Sequence, residues 1–167
     1  MLAPCLLNPA KVKRLKMKAI IEMPQGTTHK YEMDKDEGVL TLDRVLNQPV
    51  PYNYGFTPHT LCGDGDPLDV FVLGNAPIYP LTSVKVELLG VLHCTDNGEQ
   101  DDKLIAMVVG DEQARHMGWD IVRTYLLSYK ADFQIVSSGD PEDALKTFLI
   151  AQKAYHDSRS AALAENI

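Results

Sequence analysis

The chain has 167 residues, 45% of them hydrophobic, with 16 Lys and Arg against 23 Asp and Glu. That length and apolar share suit one globular domain with a sizeable core, and a formal charge of -7 disfavours unspecific binding to nucleic acid or to an anionic membrane surface. Cys5, Cys62 and Cys94 are odd in number and lack CxxC spacing, which argues against a disulfide framework and for a reducing, cytoplasmic compartment.

The opening MLAPCLLNPAKVKRLKMK sets a short apolar piece before five basic residues. A secretory signal has the opposite order, and Pro4 interrupts the run. Residues 1–16 are expected to be an irregular N-terminal extension and residues 17–167 a single domain, with Met17 a candidate natural start. KMKAIIEM, THKYEMD and GVLTLDR, bounded by Pro24, Gly26 and Gly38, predict an opening meander of antiparallel strands. After the Pro-rich loop PVPYNYGFTPHT, the runs LDVFVLG, SVKVELLGVLHC and KLIAMVVG predict three more strands, and no run is long enough to span a membrane. From Asp111 the period becomes helical: DEQARHMGWDIVRTYLLSYK and DPEDALKTFLIAQKAYHDSR predict two helices, the second with Asp140 as N-cap and Pro141 in its first turn. Short strands followed by helices predict an α+β fold, a closed β-barrel with helices packed outside it.

Chemistry concentrates in DGDPLD, residues 64–69. Carboxylates this close repel one another unless a cation sits among them; a solvated acidic turn is the alternative reading. The calcium-loop pattern fails, because the sixth and twelfth positions from Asp64 are Asp69 and Asn75 rather than Gly and Glu. A second acidic turn, TDNGEQDDK, offers Asp96, Asp101 and Asp102. Two such loops at one end of a barrel would suit several Mg²⁺ ions, each keeping waters and seeking a phosphate partner; two ordinary polar hairpin turns are the other reading. Lys30, Arg44, Lys103 and Lys130 each stand beside a tyrosine or an acid. Singly they read as surface charges; with the aspartates they describe a pocket for a small, highly charged phosphate compound. His59 with Cys62, and His93 with Cys94, form pairs without zinc-finger spacing. His29, His116 and His156 read as solvated or structural, and Trp119 as packing rather than a base-stacking platform.

DGDPLD closely resembles the signature of the family I soluble inorganic pyrophosphatases, and IEMPQGTTHKYEMDKDEGVLTLDR, NYGFTPHTLCGDGDPLDV, GVLHCTDNGEQDDK and YK follow in that family's order over about residues 18 to 130. The resemblance implies a five-stranded OB-like closed barrel with flanking helices and Mg²⁺-dependent hydrolysis of pyrophosphate to two phosphates. It implies that Asp64, Asp69 and Asp101 bridge two activating metals, that Asp96 with Asp101 holds a further Mg²⁺, and that Glu22 serves another through water. Lys30, Arg44, Tyr54, Lys103, Tyr129 and Lys130 would grip the phosphoryl groups, Glu32 would lie in the same polar network, and Asp66 would be the general base. It further implies a homo-oligomer, a hexamer as first expectation. The chain departs from the family where Val50 replaces a usual tyrosine, Asn97 replaces a glutamate, and the segments 44–54 and 103–129 are short. Those departures motivate an alternative function, a catalytically silent phosphate or polyphosphate-binding module. A structural cation-binding protein would account for the aspartates but not for the lysines, arginine and tyrosines.

Overall fold

A computed structural model of the chain describes residues 16–34 and 36–166. The expected N-terminal extension, Lys16 apart, therefore lies outside the described residues. Among the described residues nine strands and two helices follow in an α+β order. The first strand, β1 (Met17–Met23), does not open a meander. It pairs antiparallel with β4 (Asn53–Phe56) and also with β6 (Ser83–Asp96). Only β2 (His29–Asp34) and β3 (Val39–Val45) form the expected hairpin, a separate two-stranded sheet. The alternation of buried and half-buried residues along MKAIIEM explains the difference, because a strand with one fully buried face is drawn to the main sheet.

β4 pairs antiparallel with β5 (Asp69–Leu73), and β5 runs parallel to β8 (Lys103–Val108), which pairs antiparallel with β6. Pairing thus passes from β1 through β4, β5, β8 and β6 and returns to β1. The short β7 (Glu99–Gln100) folds back on the end of β6, and β9 (Phe133–Gly139) pairs with β6 along its second half. Alternate residues of β5 and β8 feed two cores. Val70, Val72, Leu104 and Ala106 join one, and Phe71, Leu73, Ile105 and Met107 the other. With both faces covered, these strands read as continuous apolar runs, as parallel pairs do.

A 3₁₀ turn at Ala114–His116 and the helix α1 (Asp120–Tyr129) replace the single helix expected from Asp111. Gly118 lies between them, where helix propensity is lowest apart from proline. Val122, Tyr125 and Leu126 of α1 cover one core, while Ala144, Leu145, Phe148 and Ala151 of α2 (Pro141–Glu165) cover the other. Asp140 caps α2 as expected, accepting from Glu142 N at 2.9 Å and Asp143 N at 3.0 Å, with Asp143 closing the capping box. Trp119 is a packing residue: a Cβ at Gly90 would fall 2.2 Å from its ring. Among the described residues no helix is long and apolar enough to cross a membrane.

Candidate active site

Strand register brings the acidic segments to one end of the sheet. The parallel pairing of β5 with β8 sets Asp69 opposite Lys103. The tight turn after β6 carries Asp96 back toward Asp101, and Asp96 is also registered against Phe133 at the start of β9. Asp64 and Asp66 lie on the connection from β4 to β5, where Asp66 N donates to Asp64 Oδ1 at 3.0 Å, an Asx-type turn. Glu22, on β1, accepts from Met33 N at 3.1 Å and so ties the β2–β3 hairpin to the rim. Together they enclose a cavity of about 380 Å³.

Of the site residues expected from the sequence, Glu22, Lys30, Glu32, Tyr54, Asp64, Asp66, Asp69, Asp96, Asp101, Lys103 and Lys130 line this cavity. Arg44 lines a neighbouring cavity of about 290 Å³ with Gln48 and Ser128. Asp43 stands between the two cations of the hairpin, 3.4 Å from Lys30 Nζ and 3.7 Å from Arg44 Nε. Tyr129 is the last residue of α1. Asp102 does not join the other aspartates. It is 3% exposed and accepts from Cys94 N, His93 and Gln100 at 3.0, 3.1 and 2.8 Å, so its side chain is turned to β6 and away from the cavity that Asp101 and Lys103 line.

The ion pairs are tight. Lys103 Nζ lies 2.5 Å from Asp69 Oδ2 and 2.6 Å from Asp101 Oδ1, and its side chain is only 5% exposed. Lys130 is hydrogen-bonded to Asp96 Oδ2, and Lys30 lies 2.5 Å from Glu32. Burial pulls the Lys103 ammonium down, but Asp69 and Asp101 outweigh it and hold its pKa above the ordinary lysine value. Burial pushes the Asp64 carboxyl up against the Asp66 N–H that pulls it down, and pushes Asp101 up against the attraction of Lys103. Burial first, then the Asp69 carboxylate, holds the Tyr54 hydroxyl well above the usual phenol range, so it is a donor at neutral pH. The common cause is that the pocket penalises each added negative charge.

A divalent cation would answer that penalty, and the donor set fits one. Asp96 Oδ1 is buried and has no hydrogen-bond partner among the described residues, an orphan oxygen that demands a ligand or an ion. The ammonium of Lys103 already stands between two carboxylates as a cation would. As arranged, no three acidic, thiol or imidazole groups among the described residues are drawn close enough to hold an ion, and neither His–Cys pair gathers into one. Hard carboxylate oxygens without sulfur or imidazole are the donor set of Mg²⁺ rather than Zn²⁺.

The family model for inorganic pyrophosphatase matches residues 19–133. The chain belongs to that family. Among similar pyrophosphatases, soluble inorganic pyrophosphatase 2 of Chlamydomonas reinhardtii is 49% identical over 96 residues, 56% of this chain and 50% of that one. Soluble inorganic pyrophosphatase 4 of Arabidopsis thaliana is 36% identical over 148 residues, 81% of this chain and 65% of that one. Among solved structures, the inorganic pyrophosphatase of Thermus thermophilus superposes with a TM-score of 0.78 at 31% identity, covering 90% of this chain and 95% of that one. The chain spans about half the length of the first curated pyrophosphatases it matches.

Two departures from the pyrophosphatase pattern have local causes. Asn97 and Gly98 both have positive φ, 49° and 81°, which is the two-residue turn that Asn-Gly favours and that a glutamate would strain. Val50 is 1% exposed and packs in the core that α1 covers, so its side chain is spent on packing. Sequence reading missed the apolar wall of this cavity, Met23, Phe56, Phe71, Tyr125, Leu126 and Phe133. Phe133 lies 5.9 Å beneath the Lys103 ammonium. Nothing local marks these residues, since the same apolar periodicity builds the core.

Proposed function

We propose that the chain catalyses Mg²⁺-dependent hydrolysis of inorganic pyrophosphate to two orthophosphates. The observation that carries this reading is the meeting, on one cavity of about 380 Å³, of carboxylates from separate segments with Lys30, Lys103 and Lys130. Cations beside carboxylates suit a small polyanion that arrives with divalent ions. Asp64, Asp69 and Asp101 would hold two activating Mg²⁺, Asp96 with Asp101 a further one, and Glu22 another through water. Bound there, Mg²⁺ would neutralise phosphoryl charge and acidify water. Asp66 would take the proton from the attacking water. Lys103 and Lys130, now held by Asp69, Asp101 and Asp96, would exchange carboxylate for phosphoryl oxygen as substrate enters. Lys30, steadied by Glu32, would grip the same group with Arg44, Tyr54 and Tyr129. Such chemistry depends on positioning and charge neutralisation more than on covalent steps.

The supporting scaffold would be a single domain over residues 17–167 with a five-stranded OB-like barrel, a reading favoured by the return of pairing from β6 to β1. A cytoplasmic homo-oligomer, a hexamer first, completes the proposal. The second reading, a silent phosphate or polyphosphate-binding module, is favoured by Arg44 facing its own cavity and by Val50. Phosphate release from pyrophosphate by the purified chain with Mg²⁺ separates them. Multiple turnovers that cease with EDTA support the enzyme, and saturable pyrophosphate binding without release overturns it.

A further inference from the structure

Asp64 and Asp66 sit on the connection between β4 and β5, which is closed at its base by two buried threonines. Thr57 and Thr60 are 0% and 2% exposed. Thr57 N donates to Leu68 O at 2.9 Å, and Thr57 Oγ1 reaches the same carbonyl at 3.1 Å. Thr60 Oγ1 donates to Thr57 O at 2.6 Å and accepts from Leu68 N at 2.9 Å. Above this base Cys62 N donates to Asp66 O at 2.8 Å, and Leu61 N reaches Ala151 O of α2 at 2.9 Å. Leu68 is fully buried and precedes Asp69 in the chain.

The two hydroxyls do unequal jobs. Leu68 O keeps Thr57 N if the Thr57 hydroxyl is lost. Among the described residues Leu68 N is bonded to Thr60 Oγ1, and without it a buried donor is orphaned, which costs far more than a surplus bond. We infer that Thr60 is a positioning residue whose hydroxyl, not its bulk, fixes the segment that carries Asp64 and Asp69 for cation binding. This rests on the proposed reading of those aspartates as the cation site.

Three variants separate the roles: Thr60→Val keeps the shape and removes the hydroxyl, Thr60→Ser keeps the hydroxyl, and Thr57→Val removes the redundant one. Mn²⁺ alone, followed by electron paramagnetic resonance, reports cation affinity. Hydrogen exchange of the Leu68 amide in metal-free protein reports the bond itself. Thr60→Val is expected to weaken Mn²⁺ binding and to speed Leu68 exchange, each on the order of tenfold. Its kcat should fall by a similar factor while KM changes little, because the cations that grip substrate lie on other segments. Thr60→Ser and Thr57→Val should stay within about threefold of wild type on each measure.

The proposal is overturned if folded Thr60→Val binds Mn²⁺ normally, if Thr57→Val loses as much, or if Thr60→Ser fails to rescue. Should Thr60→Val not fold, the wild-type protein still decides. Mg²⁺ must slow Leu68 exchange selectively over amides in the C-terminal half of α2, and no selective slowing overturns the inference. Wild type that binds Mn²⁺ but releases no phosphate sinks the proposed hydrolysis and leaves this inference standing, whereas failure to bind Mn²⁺ overturns both.

Discussion

Replacing Lys103 by methionine should make the protein less stable without metal yet a tighter binder of Mg²⁺, while impairing turnover. The side chain is 5% exposed and its ammonium bridges Asp69 and Asp101, which are 24% and 15% exposed. Removing one partner of a fully buried ion pair costs about 3–5 kcal/mol. Here both carboxylates keep some contact with water, so about 2–3 kcal/mol is the appropriate figure. For a chain of this size that corresponds to a fall in Tm of roughly 5–10 °C. The same two carboxylates, freed of their ammonium, are left with more charge for a divalent ion. Saturating Mg²⁺ should therefore recover more Tm in the variant than in wild type, since ligand stabilisation grows as RT ln(1 + [L]/Kd). Loss of a preorganised cation at the phosphoryl group should cost on the order of 10²- to 10³-fold in kcat/KM.

Thermal unfolding in EDTA and across a Mg²⁺ titration, paired with phosphate release, reads all three effects. Lys103→Met that is as stable as wild type in EDTA would show that the ion pairs contribute nothing. A variant that gains less from Mg²⁺ than wild type would show that the ammonium does not compete with a cation for those oxygens.

Asp66→Asn should lower turnover on the order of 10²- to 10⁴-fold, as loss of a general base does, with no rescue by excess Mg²⁺, whereas Asp64→Asn should recover as Mg²⁺ rises; rescue of Asp66→Asn would make it another ligand. Asp64 has its folded pKa raised by burial, so its contribution to metal-free stability is present below the unfolded carboxyl value and lost as pH rises through the folded one. Asp64→Asn should accordingly gain stability over wild type as pH rises from 4 to 7 in EDTA, and a gap in Tm that does not widen would refute the sign. Burial first, then Asp64, Asp69 and Asp102, pushes the Cys62 thiol up to about 12; peptide-resolved alkylation at pH 8 should run on the order of 10³-fold slower than for an ordinary thiol, and labelling at the free-thiol rate would contradict it.

How legible the molecule was depended on whether a signal was local. β5, β6, β8 and the Asp140 cap of α2 each rest on contiguous residues, a run of apolar side chains or a cap followed by proline, and they appear where expected. The partner of β1 was not legible, because its choice between β2 and the pair β4 and β6 is settled by long-range burial of one strand face. β9 escaped notice because FQIVSSG has little alternation and is a strand by its pairing with β6. In the site, residue type marked the carboxylates and lysines, but only the alternation of side chains along the link from β7 into β8 separates Asp102, turned to Cys94 and His93, from Asp101, turned to the cavity.

That alternation explains why the acidic turn ends Asp-Asp-Lys rather than in a plain carboxylate cluster. On the link from β7 into β8, Asp101 and Lys103 share the cavity while Asp102 between them faces the other side. Asp102 fastens the segment to β6 through Cys94 N, and the two flanking residues meet across 2.6 Å. Without Lys103 a cation-free pocket would hold several partly buried carboxylates in mutual repulsion, which burial already makes reluctant to ionise. An internal ammonium balances those charges before any ion arrives, and under the proposed function it would meet the phosphoryl oxygens once cations take over the aspartates. On that proposal stability of the empty site and capture of substrate would draw on the same lysine, which is why its removal should separate metal affinity from turnover.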